Sequence, residues 1–500
     1  MTWDHTMAEH KDLPAEIAVE LTDELKAELV GTTITDVITD EVTPQLQLTD
    51  EQQAAVEAGV AAYERAVATG ESQFISVQGA AGTGKTTATK AILAGLEEAG
   101  ASIGLAAPTH KAAGVLQKAC GGAEAITVAS LLGLREQISE HSVDFVPIGE
   151  PRIGDAQVWV IDEASMIHPQ HLAILQGAAR WEDNNGGVPR LFIFIGDPAQ
   201  LPPVKHNGVS PALQLEGSTN QLSVVHRHAG PVLELATAIR AGGARPRLTG
   251  TQEGDSSIIC HDTREDFFQT FLATVDEDQP DRARILAFTN KACAAYNDAA
   301  RRHFLGAEAD PFVEGELLIT HGGAYDPWAV QSNPFKADLA YGTSRELRLL
   351  SAHRKAVEFT GIGKCGNKVM RDGYEQMVPR VYQFNAWELK TANGFLWAID
   401  PSHKDYLQQG LNWLKDHKYW WDFWLVKRSF ADLQPHWAIT THKSQGSQFE
   451  NVFVDVADID KCKEEATRRS LLYTAVTRAT KALHVVADHD VHREVKTVWG

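Results

Sequence analysis

The chain is short of cysteine, of basic charge and of long apolar runs. Its five cysteines, Cys120, Cys260, Cys293, Cys365 and Cys462, are odd in number, lie far apart and form no C-x-x-C pair. That argues against a disulfide scaffold or a zinc ribbon and for reduced core thiols in a cytoplasmic protein. No apolar run approaches the roughly 20 residues needed to cross a bilayer. The opening MTWDHTMAEHKDL is polar and acidic, unlike a secretory signal, so no membrane partner is expected. Lys and Arg number 46 against 66 Asp and Glu, a net charge of −20. A body coated in basic surface for indiscriminate duplex binding is therefore excluded, although a locally basic groove is not. The acid is uneven. Residues 1–45 hold eleven acids against Lys11 and Lys26, and the remaining 455 residues carry −11. There is no low-complexity tract and no short-period repeat.

What is present is a chain of 500 residues, 43% apolar and 22% charged, which is more than one core usually serves. Residues 1–44 form an acidic extension, with a helical stretch expected near Ala15–Val30. LTDEQQAAVEAGVAAYERAV (48–67) reads as an amphipathic helix capped by Thr49 or Asp50. Short apolar runs follow at 73–78, 102–107, 158–161 and 190–195, and a second series at 284–288, 437–440, 451–456 and 483–487. Such continuous runs suit strands buried on both faces, hence two parallel sheets covered by helices. Between the members of the second series, residues 341–398 alternate like antiparallel strands in a small barrel. Residues 403–431 read as helical and hold Trp413, Tyr419, Trp420, Trp421, Phe423 and Trp424. Tryptophans at helical spacing make a core more often than a base-stacking platform.

GAAGTGKT fits G-x-x-x-x-G-K-[ST], after a strand and opening a helix. Usual residue frequencies give roughly 0.02 chance matches in a chain of this length. Glycines there let backbone N–H groups curl around phosphate oxygens at a helix N-terminus. The expected ATP-binding set is Gly79, Ala80, Ala81, Gly82, Thr83, Gly84, Lys85, Thr86 and Thr87, with Lys85 on the β and γ phosphates and Thr86 on Mg²⁺. In VWVIDEAS, Asp162 stands ready for the Mg²⁺ shell and Glu163 to orient and deprotonate the attacking water. GDPAQLPPV then places Gln200 to sense the γ-phosphate. Arg227 and Arg478, both from the second half, are candidates to stabilise transition-state charge, although a lone arginine is more often a surface residue. His226 and His228 fit a structural role better than metal ligation.

In this order the motifs resemble those of the superfamily 1 helicases, in the 5′-to-3′ branch of RecD-like and Dda-like enzymes. LTDEQQ resembles the Q motif, with Gln52 placed to read adenine. GAAGTGKT is similar to motif I, AAPTHKAA (106–113) to motif Ia, VIDEAS to motif II, GDPAQLPPV to motif III and VVHRH (224–228) to motif IV. LAFTNKACAAYN (286–297) resembles a further DNA-contacting segment, TTHKSQGSQF (440–449) motif V and LLYTAVTRA (471–479) motif VI. The likeness spans about 48–490. One departure is Ala129, where the family often has His.

The resemblance implies an α/β fold of two RecA-like P-loop NTPase domains: 45–210, with a pin insertion at about 133–157, and 211–304 with 436–500. An SH3-like barrel with a helical tower (305–435) would be inserted in the second. It implies ATP and Mg²⁺ as cofactors, single-stranded and forked DNA as partners, and a monomer working with a single-strand-binding or replisome protein in a bacterial cytoplasm or phage-infected host. The implied DNA contacts are Pro108, Thr109, His110, Thr127, Thr289, Asn290, His442, Lys443 and Gln445. Each taken singly fits equally well a loop residue satisfying its own backbone; as a set at the ends of two sheets they point to DNA. Three alternatives stay open: a RecD-like subunit of a nuclease complex, an RNA translocase, and a nucleotide-switched binding protein that unwinds nothing.

Overall fold

The computed structural model of the chain describes residues 48–138, 143–147, 149–203, 206, 208–215, 219–224, 230–242, 250–254, 256–337, 339–360, 366–371, 374–379 and 381–486. The acidic extension 1–44, Arg227 with His226 and His228, Cys365 and residues 487–500 lie outside the described residues.

Two six-stranded sheets form the frame. The first contains β1 (Gln73–Gly79), β2 (Ile103–Ala107), β3 (Ala125–Thr127), β4 (Val158–Ile161), β5 (Leu191–Gly196) and β6 (Thr219–Leu222), in the order β3-β2-β4-β5-β1-β6. Every neighbouring pair is parallel; Gln73 lies opposite Leu191 and Val77 opposite Ile195. The central strands are apolar on both faces because helices cover both. Val77, Val158, Val160 and the whole of Leu191–Ile195 are fully buried. Burying one such side chain contributes about 1.5–3 kcal/mol relative to leaving it exposed. One covering helix is α1 (Asp50–Thr69), started by a reciprocal capping box between Thr49 and Gln52. Another is α2 (Lys85–Glu98), which buries Ile92 and Leu96 and stops at Gly100 in the left-handed region. A third is α3 (His110–Ala119). Because β6 pairs with β1, the first sheet extends past the expected boundary at residue 210 to Leu222.

The second sheet contains β7 (Thr251–Glu253), β8 (Ser256–His261), β9 (Ala283–Ala287), β10 (Ala438–Thr440), β11 (Phe449–Asp455) and β12 (Ala479–Val486), in the order β10-β9-β11-β12-β8-β7. Only β7 runs antiparallel to its neighbour. Helix α4 (Asn290–Leu305) follows β9, and α5 (Glu465–Val476) precedes β12.

Two insertions leave this frame. An antiparallel hairpin, Leu134–Ile138 with Val143–Pro147, rises from the first sheet. Its base is tight: a Cβ on Gly133 would meet the Gly149 carbonyl oxygen at 2.4 Å. The larger insertion separates α4 from β10. Leu317–Thr320 pairs with Glu346–Arg348 and Leu433–Pro435 at its root. Beyond them Val381–Thr391 pairs with Ser351–Thr360 and Gly394–Ile399. Helices Lys404–Asp416 and Trp420–Ser429 close the insertion. Leu414, Leu425 and Val426 share its core with Phe359, Phe384, Trp397 and Phe430. Trp413 stacks on His417 at 4.0 Å and on Tyr419 at 5.5 Å, so part of the aromatic cluster is packing, while Trp420 stays 48% exposed.

Candidate nucleotide crevice and strand-end loops

The loop between β1 and α2 is shaped by its glycines. Gly82 and Gly84 take φ of 84° and 75°, where a side chain would be strained. A Cβ on Gly79 would lie 2.4 Å from Thr83 Oγ1. The loop leaves the first-turn N–H groups of α2 without intrahelical acceptors, which is where an anion binds. Lys85 Nζ donates to the carbonyls of Gly79 and Ala80, 2.9 Å each. Burial lowers the Lys85 pKa. The carboxylates of Asp197, Glu163 and Asp162 oppose that shift and Arg478 adds to it, so all four charges reach this ammonium.

Asp162 and Glu163 follow β4. Asp162 Oδ1 accepts the Glu163 N–H at 2.8 Å, and Glu163 itself sits at φ 51°, a conformation non-glycine residues rarely hold. Burial, then the Glu163 charge, push the Asp162 carboxyl up to about 6. Gln200 is buried, its Oε1 without a hydrogen bond among the described residues. The Thr86 hydroxyl is exposed and likewise makes none. Thr87, partly exposed, stands beside it in the first turn of α2. A triphosphate with a divalent cation fits this donor set. It offers a half-buried lysine, unsatisfied amides, an open hydroxyl, an amide oxygen lacking a donor and a carboxyl whose charged form is destabilised until a cation arrives.

Gln52 is 3% exposed. Its Nε2 donates to the carbonyls of Thr83 (3.3 Å) and Gly84 (3.5 Å), so in this structure its amide holds the loop backbone. Arg478 is 5% exposed and donates to Thr474 O, Ser447 O and Thr477 Oγ1, all on the second sheet's side.

The second sheet meets the crevice at several points. Tyr473, on α5, donates through its hydroxyl to Asp197 Oδ2 (2.5 Å) and accepts the Ala81 N–H (3.1 Å). Thr474 Oγ1 accepts the Leu201 N–H at 3.3 Å, and Gln445 Nε2 donates to Leu201 O at 3.2 Å. On another part of the seam, one oxygen of Glu346 accepts from both Lys111 Nζ (3.4 Å) and Arg284 (3.1 Å). Lys111 and Arg284 also lie over the Phe449 ring, at 5.2 and 4.8 Å from its centroid. Arg284 and Lys111 outweigh burial and hold the Glu346 carboxyl down at about 2.

The residues expected at DNA stand at carboxyl ends of strands. Pro108, Thr109 and His110 follow β2, Thr127 ends β3, Thr289 and Asn290 follow β9, and His442, Lys443 and Gln445 follow β10. Three of the threonines cap helices: Thr109 accepts from Ala112 N, Thr127 from Ser130 N and Thr289 from Ala292 N, each at 3.1 Å. Thr289 is also clasped by Asp458, which accepts from its N–H at 2.7 Å and its hydroxyl at 3.0 Å. Asn290 and His110 are exposed, whereas Gln445 is buried with its amide committed to Leu201. Burial lowers the pKa of both His442 and Lys443. Sequence reasoning left out Tyr473, Asp197, Lys111 and Glu346. The first three stood inside quoted motifs without an assigned role, and nothing in the sequence marked Glu346.

Among known proteins, the family model described as an AAA domain matches residues 47–263, and that of the UvrD-like helicase C-terminal domain matches 435–486. The first match covers the whole first sheet together with β7 and β8, and the second covers β10, β11 and β12. The chain is 26% identical over 432 residues to the ATP-dependent DNA helicase Dda of Enterobacteria phage T4, covering 81% of this chain and 92% of that protein. It is 27% identical to the RecBCD enzyme subunit RecD of Mycolicibacterium smegmatis over 82% of this chain and 67% of that one. A solved structure of Pif1 helicases at forked double-stranded DNA aligns with 90% of this chain and 97% of its own, at 18% identity and a TM-score of 0.43. Fold and crevice together define a P-loop motor with tandem RecA-like sheets. These likenesses support a superfamily 1 helicase of the RecD/Dda-like kind.

Proposed function

We propose that this protein is an ATP-dependent DNA helicase that travels 5′ to 3′ on a single strand and opens duplex ahead of it. The observation that carries the reading is the crevice of Lys85. A phosphate loop on the first sheet faces Tyr473 and Arg478 from the second, with charges from both sides converging on one ammonium. A motor needs that arrangement, because a nucleotide held by one wall and sensed by the other converts hydrolysis into relative movement.

In this reading Lys85 leaves the Gly79 and Ala80 carbonyls for the terminal phosphates. Glu163 orients the attacking water and takes its proton. Gln200 places its unsatisfied Oε1 toward that water. Arg478, together with Arg227, brings positive charge to the γ-phosphate. Thr86 and Asp162 would hold Mg²⁺, which when bound neutralises developing phosphate charge. Gln52 reads the adenine edge when its amide turns from the Thr83 and Gly84 carbonyls to the base.

DNA lies across the strand ends. The capped N-termini at Thr109, Thr127 and Thr289 offer backbone N–H groups to phosphates. His110, Asn290, His442 and Lys443 add side-chain donors, with Pro108 beneath a base. Few of these are permanent cations, which suits a grip released at every step and agrees with a net charge of −20. We read the hairpin within 133–157 as the pin that parts the strands. The insertion within 305–435 is read as an SH3-like barrel with a tower, and the protein as a monomer on forked DNA. The likeness to RecD supports a second reading, as a subunit of a larger complex, which gel filtration of the native protein separates from the first.

Lys85→Ala tests the crevice: hydrolysis of ATP stimulated by single-stranded DNA should fall about a thousandfold. Retention of that activity by a folded variant would refute the assignment.

A further inference from the structure

The Ala80–Ala81 peptide group is bonded on both sides. Its carbonyl, on Ala80, accepts from Lys85 Nζ at 2.9 Å and from Thr83 Oγ1 at 2.9 Å. Its N–H, on Ala81, donates to the Tyr473 hydroxyl at 3.1 Å. The same hydroxyl donates to Asp197, which is fully buried and also accepts from Ala199 N (3.1 Å) and Arg240 Nε (3.4 Å). Asp197 in turn is the largest opposing charge on Lys85. Burial, then the Asp197 charge, raise the Tyr473 phenol well above its ordinary range, so it remains a hydroxyl that both donates and accepts. Tyr473 is 1% exposed, and the next residues of its helix, Thr474 and the Val476–Arg478 turn, address Leu201 and the crevice.

We propose that Tyr473 is a positioning residue that carries the state of the nucleotide from the phosphate loop to the second lobe, through the Ala80–Ala81 peptide on one side and Asp197 on the other. The inference rests on the functional reading above. When Lys85 moves to a phosphate, it releases the Ala80 carbonyl and draws away from Asp197. Both ends of the relay change together, and hydrogen bonds in series polarise one another in a low-dielectric site. Tyr473 makes its two bonds from α5, so the second lobe registers the change at the helix that leads into Arg478. Energetic coupling is reciprocal: if nucleotide alters the grip on DNA, DNA alters the grip on nucleotide by the same factor.

Tyr473→Phe keeps the ring and removes only the hydroxyl. In the full chain, affinity for a fluorescent oligothymidylate is measured with and without a non-hydrolysable ATP analogue and Mg²⁺, and ATP hydrolysis with and without the same oligonucleotide. Hydrogen bonds of this kind, one of them to a buried charge, set the scale at about tenfold. The ratio of DNA-stimulated to DNA-free kcat should fall by about that factor, and the effect of nucleotide on DNA affinity should shrink toward none. A purely structural role would lower both rates by one factor and leave the ratios within twofold of the parent, and that result overturns the proposal. If Tyr473→Phe does not fold, Asp197→Asn removes the acceptor charge at the other end and is held to the same ratios. If instead the unaltered protein shows no DNA-stimulated hydrolysis, or Lys85→Ala leaves it intact, the functional reading fails, not the relay alone.

Discussion

The two lobes differ in how they treat the polar groups that border the crevice. At the strand ends of the first sheet several are left unsatisfied: the Thr86 hydroxyl and Gln200 Oε1 have no hydrogen bond among the described residues, and the Asp162 carboxyl is held near 6 by burial and by Glu163. In the second lobe the corresponding groups are engaged. Arg478 donates to Thr474, Ser447 and Thr477, Thr289 caps its helix and is clasped by Asp458, Gln445 holds Leu201, and Tyr473 uses its hydroxyl twice. Buried polar groups without partners are costly, and persist where a ligand completes them. The first lobe is therefore the wall that waits for a ligand. The second presents mostly groups that are already engaged, although Ser447 Oγ there is also buried without a hydrogen bond among the described residues.

That contrast is broken most severely at the crevice. Glu163→Gln and Arg478→Ala should each lower ATP hydrolysis by about a thousandfold, one variant from each wall, and rapid-quench assays would show it. Their stabilities should differ. Arg478 is built into its lobe, so Arg478→Ala should lower the melting temperature, while Glu163→Gln should not.

Next in size is the junction at Glu346, where Glu346→Gln leaves the buried Arg284 guanidinium without its carboxylate. Losing one partner of a buried pair costs about 3–5 kcal/mol, less here because Glu346 is 24% exposed. The carboxyl is depressed to about 2, so its contribution is present above the ordinary carboxylate range and lost as pH falls through 4.5 toward 2. The gap in melting temperature between the two proteins should close over that window. A gap independent of pH would show that the ion pair is not the cause.

Asp162→Asn has the opposite sign. A carboxyl raised to about 6 destabilises the fold as it ionises, so without Mg²⁺ the variant should melt higher than the parent at pH 8 and equally at pH 3.5. The smallest effects are at the caps. Thr109→Ala and Thr289→Ala should each cost about 1 kcal/mol in denaturant titration, alike in both lobes. A much larger loss at Thr289 would assign the excess to its clasp by Asp458.

Much of the frame was legible because strands buried on both faces read as unbroken apolar runs. β1, β2, β4, β5, β9, β10, β11 and β12 all lie on or beside such runs. The strands that escaped are at or near edges. Thr219–Leu222 and Thr251–Glu253 are short and mostly exposed, and Ser256–His261 buries only Ile258 and His261, so pairing rather than burial defines them. The phosphate loop was legible because its chemistry is local. Tyr473 was not: its hydroxyl binds Ala81, 392 positions away in the chain, and spacing carries no trace of that contact. The threonines lie between these cases. Sequence allowed both local capping and DNA contact. The capping is present, and it commits the Thr109 and Thr289 hydroxyls to backbone N–H groups of the helices they start.

The most direct test of the account is strand separation on forked substrates that carry only a 5′ or only a 3′ single-stranded tail, with ATP and Mg²⁺, by the unaltered protein and by Lys85→Ala. The account predicts that the unaltered protein opens the 5′-tailed fork and leaves the 3′-tailed one closed, and that Lys85→Ala opens neither. Efficient opening of the 3′-tailed fork, or opening by Lys85→Ala, would contradict it.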